Sequence, residues 1–151
     1  MPVSCVLGFD YGTRLIGVAV GNRLTAQARA LTVVPVHDGE PAWVQLDALR
    51  REWLPDTLVV GLPLALDGAE QPASRGARRF AATLNERYGL DVLLVDERHS
   101  SREAAVRFAH ARAAGLRKRR DAATIDAEAA AVILDRWLAD PSTALPLADF
   151  G

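Results

Sequence analysis

Asp10, Glu97 and Asp126 are the residues of this 151-residue chain whose type and placement are best suited to chemistry, and all three are carboxylates. Asp10 closes the apolar run Val6 to Phe9, and Glu97 follows the run Val92 to Val95 with only Asp96 between. A carboxylate at the mouth of a buried strand is costly to ionise unpaired, so it calls for a cation. Asp126 falls on one line with Ala130, Ile133 and Trp137, at i+4, i+7 and i+11 of a helical stretch, and that line is apolar. Asp121, Glu128 and Asp135, seven residues apart, form a separate acidic stripe that reads as the solvated face. Asp126 lies about 200° around the helix from Glu128. An acid turned toward a packed sheet must be paired, protonated or bound to metal.

Each carboxylate also has a plainer explanation. Asp10-Tyr11-Gly12-Thr13 is an acceptable hairpin turn with no further role, because Asp and Gly are ordinary turn residues. Strand ends such as Asp96-Glu97-Arg98 are commonly charged, and Arg98 serves a phosphate or a neighbouring carboxylate equally well. A buried Asp126 can be satisfied by an arginine or a helix end. If the three converge, they make an all-oxygen site suited to Mg²⁺ or Mn²⁺; zinc would favour His and Cys, and His37, His99 and His110 show no ligand spacing. The chemistry of such a site is phosphodiester hydrolysis, with two ions held ~3.5–4 Å apart.

The elements that must position these acids follow from pattern. Val6 to Phe9 and Leu15 to Val20 flank a short polar turn and predict two antiparallel strands. Within that turn Gly12 allows a positive φ or the close approach of a backbone or a phosphate, and Thr13 offers a hydroxyl and an N–H. Residues 28–36 predict a third strand, closed by the polar residues 37–41. Trp43, Leu46, Leu49, Trp53 and Leu54 recur at helical spacing until Pro55. Residues 57–63 and 91–97 read as buried strands, separated by a loop over 64–72 and a helix carrying Phe80 and Leu84 to Tyr88-Gly89. Helices over about 101–113 and 121–138 follow, and the proline-broken tail from Asp140 is expected to be loosely held. A meander followed by strand and helix alternation implies one α/β domain over 1–139, a mixed five-stranded sheet with helices on both faces. Ligands of such sheets bind at the carboxyl ends of strands, where Asp10, Gly61 to Pro63 and Glu97 all fall.

Half of the residues are apolar and a quarter charged, enough for a core that needs no staples. The lone cysteine, Cys5, cannot form an internal disulfide and reads as a small core residue in a reducing compartment. No run approaches a bilayer span and the start lacks a secretion signal, so a cytoplasmic protein is expected. A net charge of −1 argues against a globally basic nucleic-acid binder but not against a local patch. Arg117, Lys118, Arg119 and Arg120, with Arg112 upstream, form such a patch just before the Asp126 helix. It reads as a phosphate-contacting arm or as a solvated interhelix loop. Arg75, Arg78 and Arg79 extend it or serve only solubility.

Residues 9–20, Val59 to Leu64 with Asp67-Gly68 and Gln71-Pro72, Asp96-Glu97-Arg98, and Ile125-Asp126 with Ala129-Ala130 and Ile133-Leu134 together resemble the YqgF/RuvX family, in order from about Val6 to Leu138. Members of that family have an RNase H-like fold and are described as Holliday junction resolvases and as nucleases maturing the 5′ end of pre-16S ribosomal RNA. The resemblance implies that Asp10, Glu97 and Asp126 are metal-binding catalytic acids for two Mg²⁺ or Mn²⁺ ions. It also implies that Gly61-Leu62-Pro63 borders a nucleic-acid groove, and it extends to ribosomal precursor particles as partners. One departure is His99, where the family pattern has an apolar residue. A resolvase needs a dimer to cut two strands symmetrically, whereas an rRNA-processing enzyme can act as a monomer. The Asp10 hairpin is also similar to the phosphate loop of actin-like ATPases and sugar kinases, which need a second related domain for which 151 residues leave no room. A non-catalytic nucleic-acid-binding or ribosome-assembly factor is the other alternative, and the presence of all three acids counts against it.

Overall fold

Residues 5–63, 69, 71–96 and 125–146 are described by the computed structural model. The two amino-terminal apolar runs form β1 (Cys5–Asp10) and β2 (Leu15–Asn22), antiparallel, with Asp10 opposite Gly17 at the turn end. β3 (Gln27–His37) continues the meander against β2, with a register shift between Val18 and Ala19. Asp38 (φ 52°) and Gly39 (φ 78°) then turn the chain into β4 (Glu40–Pro41). Both central residues of that turn are left-handed, as an Asp-Gly hairpin requires.

α1 (Trp43–Trp53) ends at left-handed Leu54, just ahead of Pro55. β5 (Thr57–Leu62) is buried along its whole length and runs parallel to β1. α2 (Pro72–Tyr88) begins on the last residue of the expected loop, with Pro72 in its first turn, and leads to β6 (Asp91–Asp96), parallel to β5. α3 (Ile125–Ala139) carries Asp126. The expected helix over about 101–113 and the start of the one from 121 lie outside the described residues.

The sheet has seven strands, in the order β4-β3-β2-β1-β5-β6 with β7 (Ala144–Pro146) last, rather than the five expected. The additional strands are the two edges, of two and three residues, too short to show an alternating pattern. Each contains a proline, which an edge tolerates because one side of the strand has no ladder to lose. The segment after Asp140 is therefore not loose over its first residues: Ala144–Pro146 pairs antiparallel with β6, behind a 3-10 turn capped by the Asp140 carboxylate.

Helices cover both faces, as the alternation implies. Against α1 and α2 the sheet presents bulky side chains, including Leu7, Phe9, Ile16 and Val60, which meet Leu46, Phe80 and Leu84. Asp47 of α1 accepts from Arg87 at 2.8 and 2.7 Å and from the Tyr88 hydroxyl at 2.6 Å, which locks α1 to α2. Against α3 the sheet presents Val6, Ala19, Val59 and Val95, which meet Ala130, Ile133, Leu134 and Trp137.

Candidate active site

Period-two alternation sends Leu7 and Phe9 into the core under α2, and Val6 and Gly8 toward α3. Asp10 is in phase with Val6 and Gly8, so its side chain leaves β1 on the α3 side. Its cross-strand partner Gly17 shares that face. A methyl group on Gly17 would stand 1.8 Å from the Asp126 carbonyl oxygen and 2.8 Å from the Ala127 nitrogen. The backbone of Asp126 thus rests directly on β2, next to the point where Asp10 emerges.

The close approach is built from small residues. Gly8, Gly17, Ala19 and Gly21 form a track on this face, and a methyl group on Gly8 would lie 3.1 Å from Leu134 Cβ. Ala127, Ala130 and Ala131 are the buried residues of α3 that match it. Asp126 is half-buried, and that burial pushes its carboxyl above the usual carboxylate range. Asp10 is also half-buried. A half-buried carboxylate is costly to keep charged unless a cation or a proton accompanies it, and an oxygen-only donor set favours a hard divalent ion. Among the described residues no group of three or more candidate ligands assembles, and Glu97 lies outside them.

The model of the family described as RuvX, Holliday junction resolvase, matches residues 4–140. The chain belongs to the RuvX family. A Xylella fastidiosa protein with the provisional name pre-16S rRNA nuclease is 60% identical over 147 residues, covering 96% of this chain and 95% of its own. One from Xanthomonas axonopodis pv. citri with the same name is 57% identical over 143 residues, covering 95% and 92%. In fold, the chain is similar to Thermus thermophilus RuvC in complex with a Holliday junction substrate, with a TM-score of 0.56 and 21% identity over 95% of this chain and 99% of that one. A second structure of the same RuvC gives 0.54 and 20%, over 94% and 99%. The RNase H-like fold is thereby established, and membership of the RuvX family makes the chain a hydrolase of phosphodiester bonds.

The remaining predicted site residues of this RuvX-family chain divide into three groups. Gly12 and Thr13 line an open cleft beside the β1–β2 turn, with Thr13 exposed. Gly12 does not adopt positive φ; a methyl group there would stand 2.5 Å from the Leu15 carbonyl oxygen, so it serves the close approach of the hairpin's own backbone. Gly61 is buried within β5, opposite Val95, and Pro63 is half-exposed just beyond the strand. Glu97, Arg98, Arg117, Lys118, Arg119 and Arg120 lie outside the described residues.

Three positioning features escape a reading by sequence. Gly17 looked like part of an apolar strand, and only the small-residue alternation Gly17, Ala19, Gly21 hints at the helix above it. Ser74 is fully buried: it accepts from the Gln71 N–H at 3.0 Å and donates to the Pro63 carbonyl, pinning the end of β5 to the start of α2. Asp135 corrects the solvated-stripe expectation, since it is half-buried and accepts from the Ala28 N–H at 3.0 Å. One turn-face away, Arg136 donates to the Asp96 carbonyl at 3.2 Å, so α3 is fastened to β3 and to the end of β6.

Proposed function

We propose that the chain is a divalent-metal-dependent nuclease of RNA that processes the 5′ end of pre-16S rRNA in the cytoplasm, with ribosomal precursor particles as its setting. Asp10, Glu97 and Asp126 are the carboxylates that would hold Mg²⁺ or Mn²⁺, two ions in the full site. The observation that carries this reading is the seating of the Asp126 backbone on Gly17, opposite Asp10. That seating brings the Asp126 backbone, more than a hundred residues away in sequence, to the carboxyl end of β1, where a sheet of this kind binds its ligand, and supports reading its carboxylate as a partner of Asp10. A bound divalent ion supplies charge neutralisation for the phosphate and lowers the pKa of an attacking water. The protein's own part is to orient the acids by helix docking and to steer the anionic strand. Gly12, Thr13 and Pro63 flank the strand's path above Gly61. Arg98, Arg117, Lys118, Arg119 and Arg120 supply the basic contacts.

The choice of rRNA rests on the names of relatives 57–60% identical along nearly the whole chain. The second reading, a dimeric Holliday junction resolvase, is favoured by the family's own description. The experiment sets a single-stranded RNA spanning a precursor 16S 5′ end beside a four-way DNA junction, with Mn²⁺, using the wild type and Asp10→Asn. RNA cleavage lost in the variant is expected. Paired symmetric cuts in the junction alone make the protein a resolvase, and silence on both substrates leaves a binding factor.

A further inference from the structure

On the opposite side of the β1–β2 turn from Asp126 lies a cleft of about 630 Å³ that the acids do not use. Its volume is in the ~300–1,000 Å³ range of small-molecule sites. The walls are aromatic: Tyr11 and Trp43 both lie against Phe80, with ring centroids 5.1 and 6.1 Å from it and planes tilted 31° in both cases. Phe80 is the buried floor, while Tyr11 and Trp43 are half-exposed. Trp43 is held in place by donating to Glu40 Oε2 at 3.2 Å and by the Arg87 guanidinium 4.8 Å from its ring. Thr13, Glu40 and Arg79 are exposed at the rim.

Tyr11 follows Asp10 directly, so the aromatic cleft and the acid site are separated by one residue across the edge of the sheet. The α-carbons of Asp10 and Tyr11 are about 3.8 Å apart while their side chains leave on opposite faces, so a strand crossing the end of β1 can present a phosphate to one face and its base to the other. Aromatic surfaces stack bases of any sequence, a carboxylate accepts hydrogen bonds from an exocyclic amino group, and a guanidinium pairs with phosphate. We propose that this cleft takes one unstacked nucleobase of the substrate strand, next to the phosphate presented to Asp10 and Asp126. Tyr11, Trp43 and Phe80 stack it, Glu40 accepts from its amino group, and Arg79 meets a flanking phosphate. The inference rests on the nuclease reading and narrows it: the substrate must offer an unpaired nucleotide beside the cut, as single-stranded RNA does and a continuous duplex does not.

The test uses the full chain and a single-stranded RNA of the precursor 16S 5′ end, with 2-aminopurine placed at one position at a time. In EDTA, binding should quench the fluorophore strongly at one position next to the cleavage site. An abasic residue there should weaken binding roughly tenfold, the scale of one lost base stack. In Trp43→Leu the position-specific quenching should disappear, and in Glu40→Gln, whose amide oxygen can still accept from the Trp43 indole, affinity for the amino-bearing base should fall about threefold. A flat abasic scan with Mn²⁺-dependent cleavage intact overturns the base site while leaving the nuclease standing. Quenching that survives in Trp43→Leu overturns it too. Absence of both cleavage and binding overturns the nuclease reading and this inference with it.

Discussion

The two faces of the sheet are packed by opposite means. Under α1 and α2 the contact is made by volume, with Leu7, Phe9 and Ile16 from the strands interlocking with Leu46, Phe80 and Leu84. Under α3, beside the cluster of Ile133, Leu134 and Trp137, the strands also give up volume: Gly8, Gly17, Ala19 and Gly21 let an alanine-rich helix approach closely, with the Asp126 backbone on Gly17. Bulky packing removes more apolar surface per residue. Close packing gives less burial but seats the Asp126 backbone on β2 opposite Asp10 with little freedom to drift, which is what the proposed site for a hard cation would need. Under the proposed function, the bulky face serves chiefly to hold the fold and the close-packed face to set the chemistry.

The sharpest way to break that division is Gly17→Ala. The new methyl would meet backbone atoms of Asp126, which cannot swing aside as a side chain can, so α3 must lift. Cleavage should be lost almost completely, with stability down by at least the ~1–3 kcal/mol typical of overpacking; equilibrium denaturation alongside a cleavage assay separates the two. Leu84→Ala, on the other face, should lower stability by ~2–5 kcal/mol in urea unfolding while the folded protein cleaves at a rate within about twofold of wild type. A loss of activity like that of Gly17→Ala would erase the distinction between the faces. Gly21→Ala is milder, because its methyl would meet the flexible ends of Leu134 and Leu138 at 2.9 and 3.0 Å. A cost of ~1 kcal/mol with partial activity is expected.

The smallest effect belongs to the clamp between α1 and α2. Arg87 and the Tyr88 hydroxyl hold the Asp47 carboxyl well below the usual carboxylate range. A folded-state pKa below the unfolded value of ~3.9 contributes stability that is present above about pH 4 and is lost as pH falls through the folded value. Asp47→Asn should therefore lower the Tm slightly near neutral pH, and the gap from wild type should close on acidification below about pH 4. Thermal melts across that range read it directly, and a gap that stays constant with pH would show that Asp47 acts only by shape.

Much of the bulky face was legible in the sequence, because Trp43, Leu46, Leu49 and Phe80 announce their helices by spacing and residues 57–63 announce a buried strand by composition. The edges were not: two- and three-residue strands have no period to detect, although Asp38-Gly39 carries a hairpin signature. The apolar line of Asp126 with Ala130, Ile133 and Trp137 was readable and corresponds to buried positions in α3. The reason for Gly17 was not readable, since it depends on a helix more than a hundred residues away in sequence. Asp135 misled by the same logic: helical spacing puts it on the Glu128 stripe, but only the tertiary structure shows the Ala28 N–H that it accepts from.

Direct titration of Mn²⁺ against the wild type, Asp10→Asn and Asp126→Asn, followed by electron paramagnetic resonance of the free ion, tests the pairing of the two acids at its root. Both substitutions should weaken Mn²⁺ binding about tenfold or more, and metal-free Asp126→Asn should melt no lower than wild type, because a half-buried charge has been removed. Mn²⁺ affinity unchanged in either folded variant would show that Asp10 and Asp126 do not share an ion, and the account of the α3 face would fail.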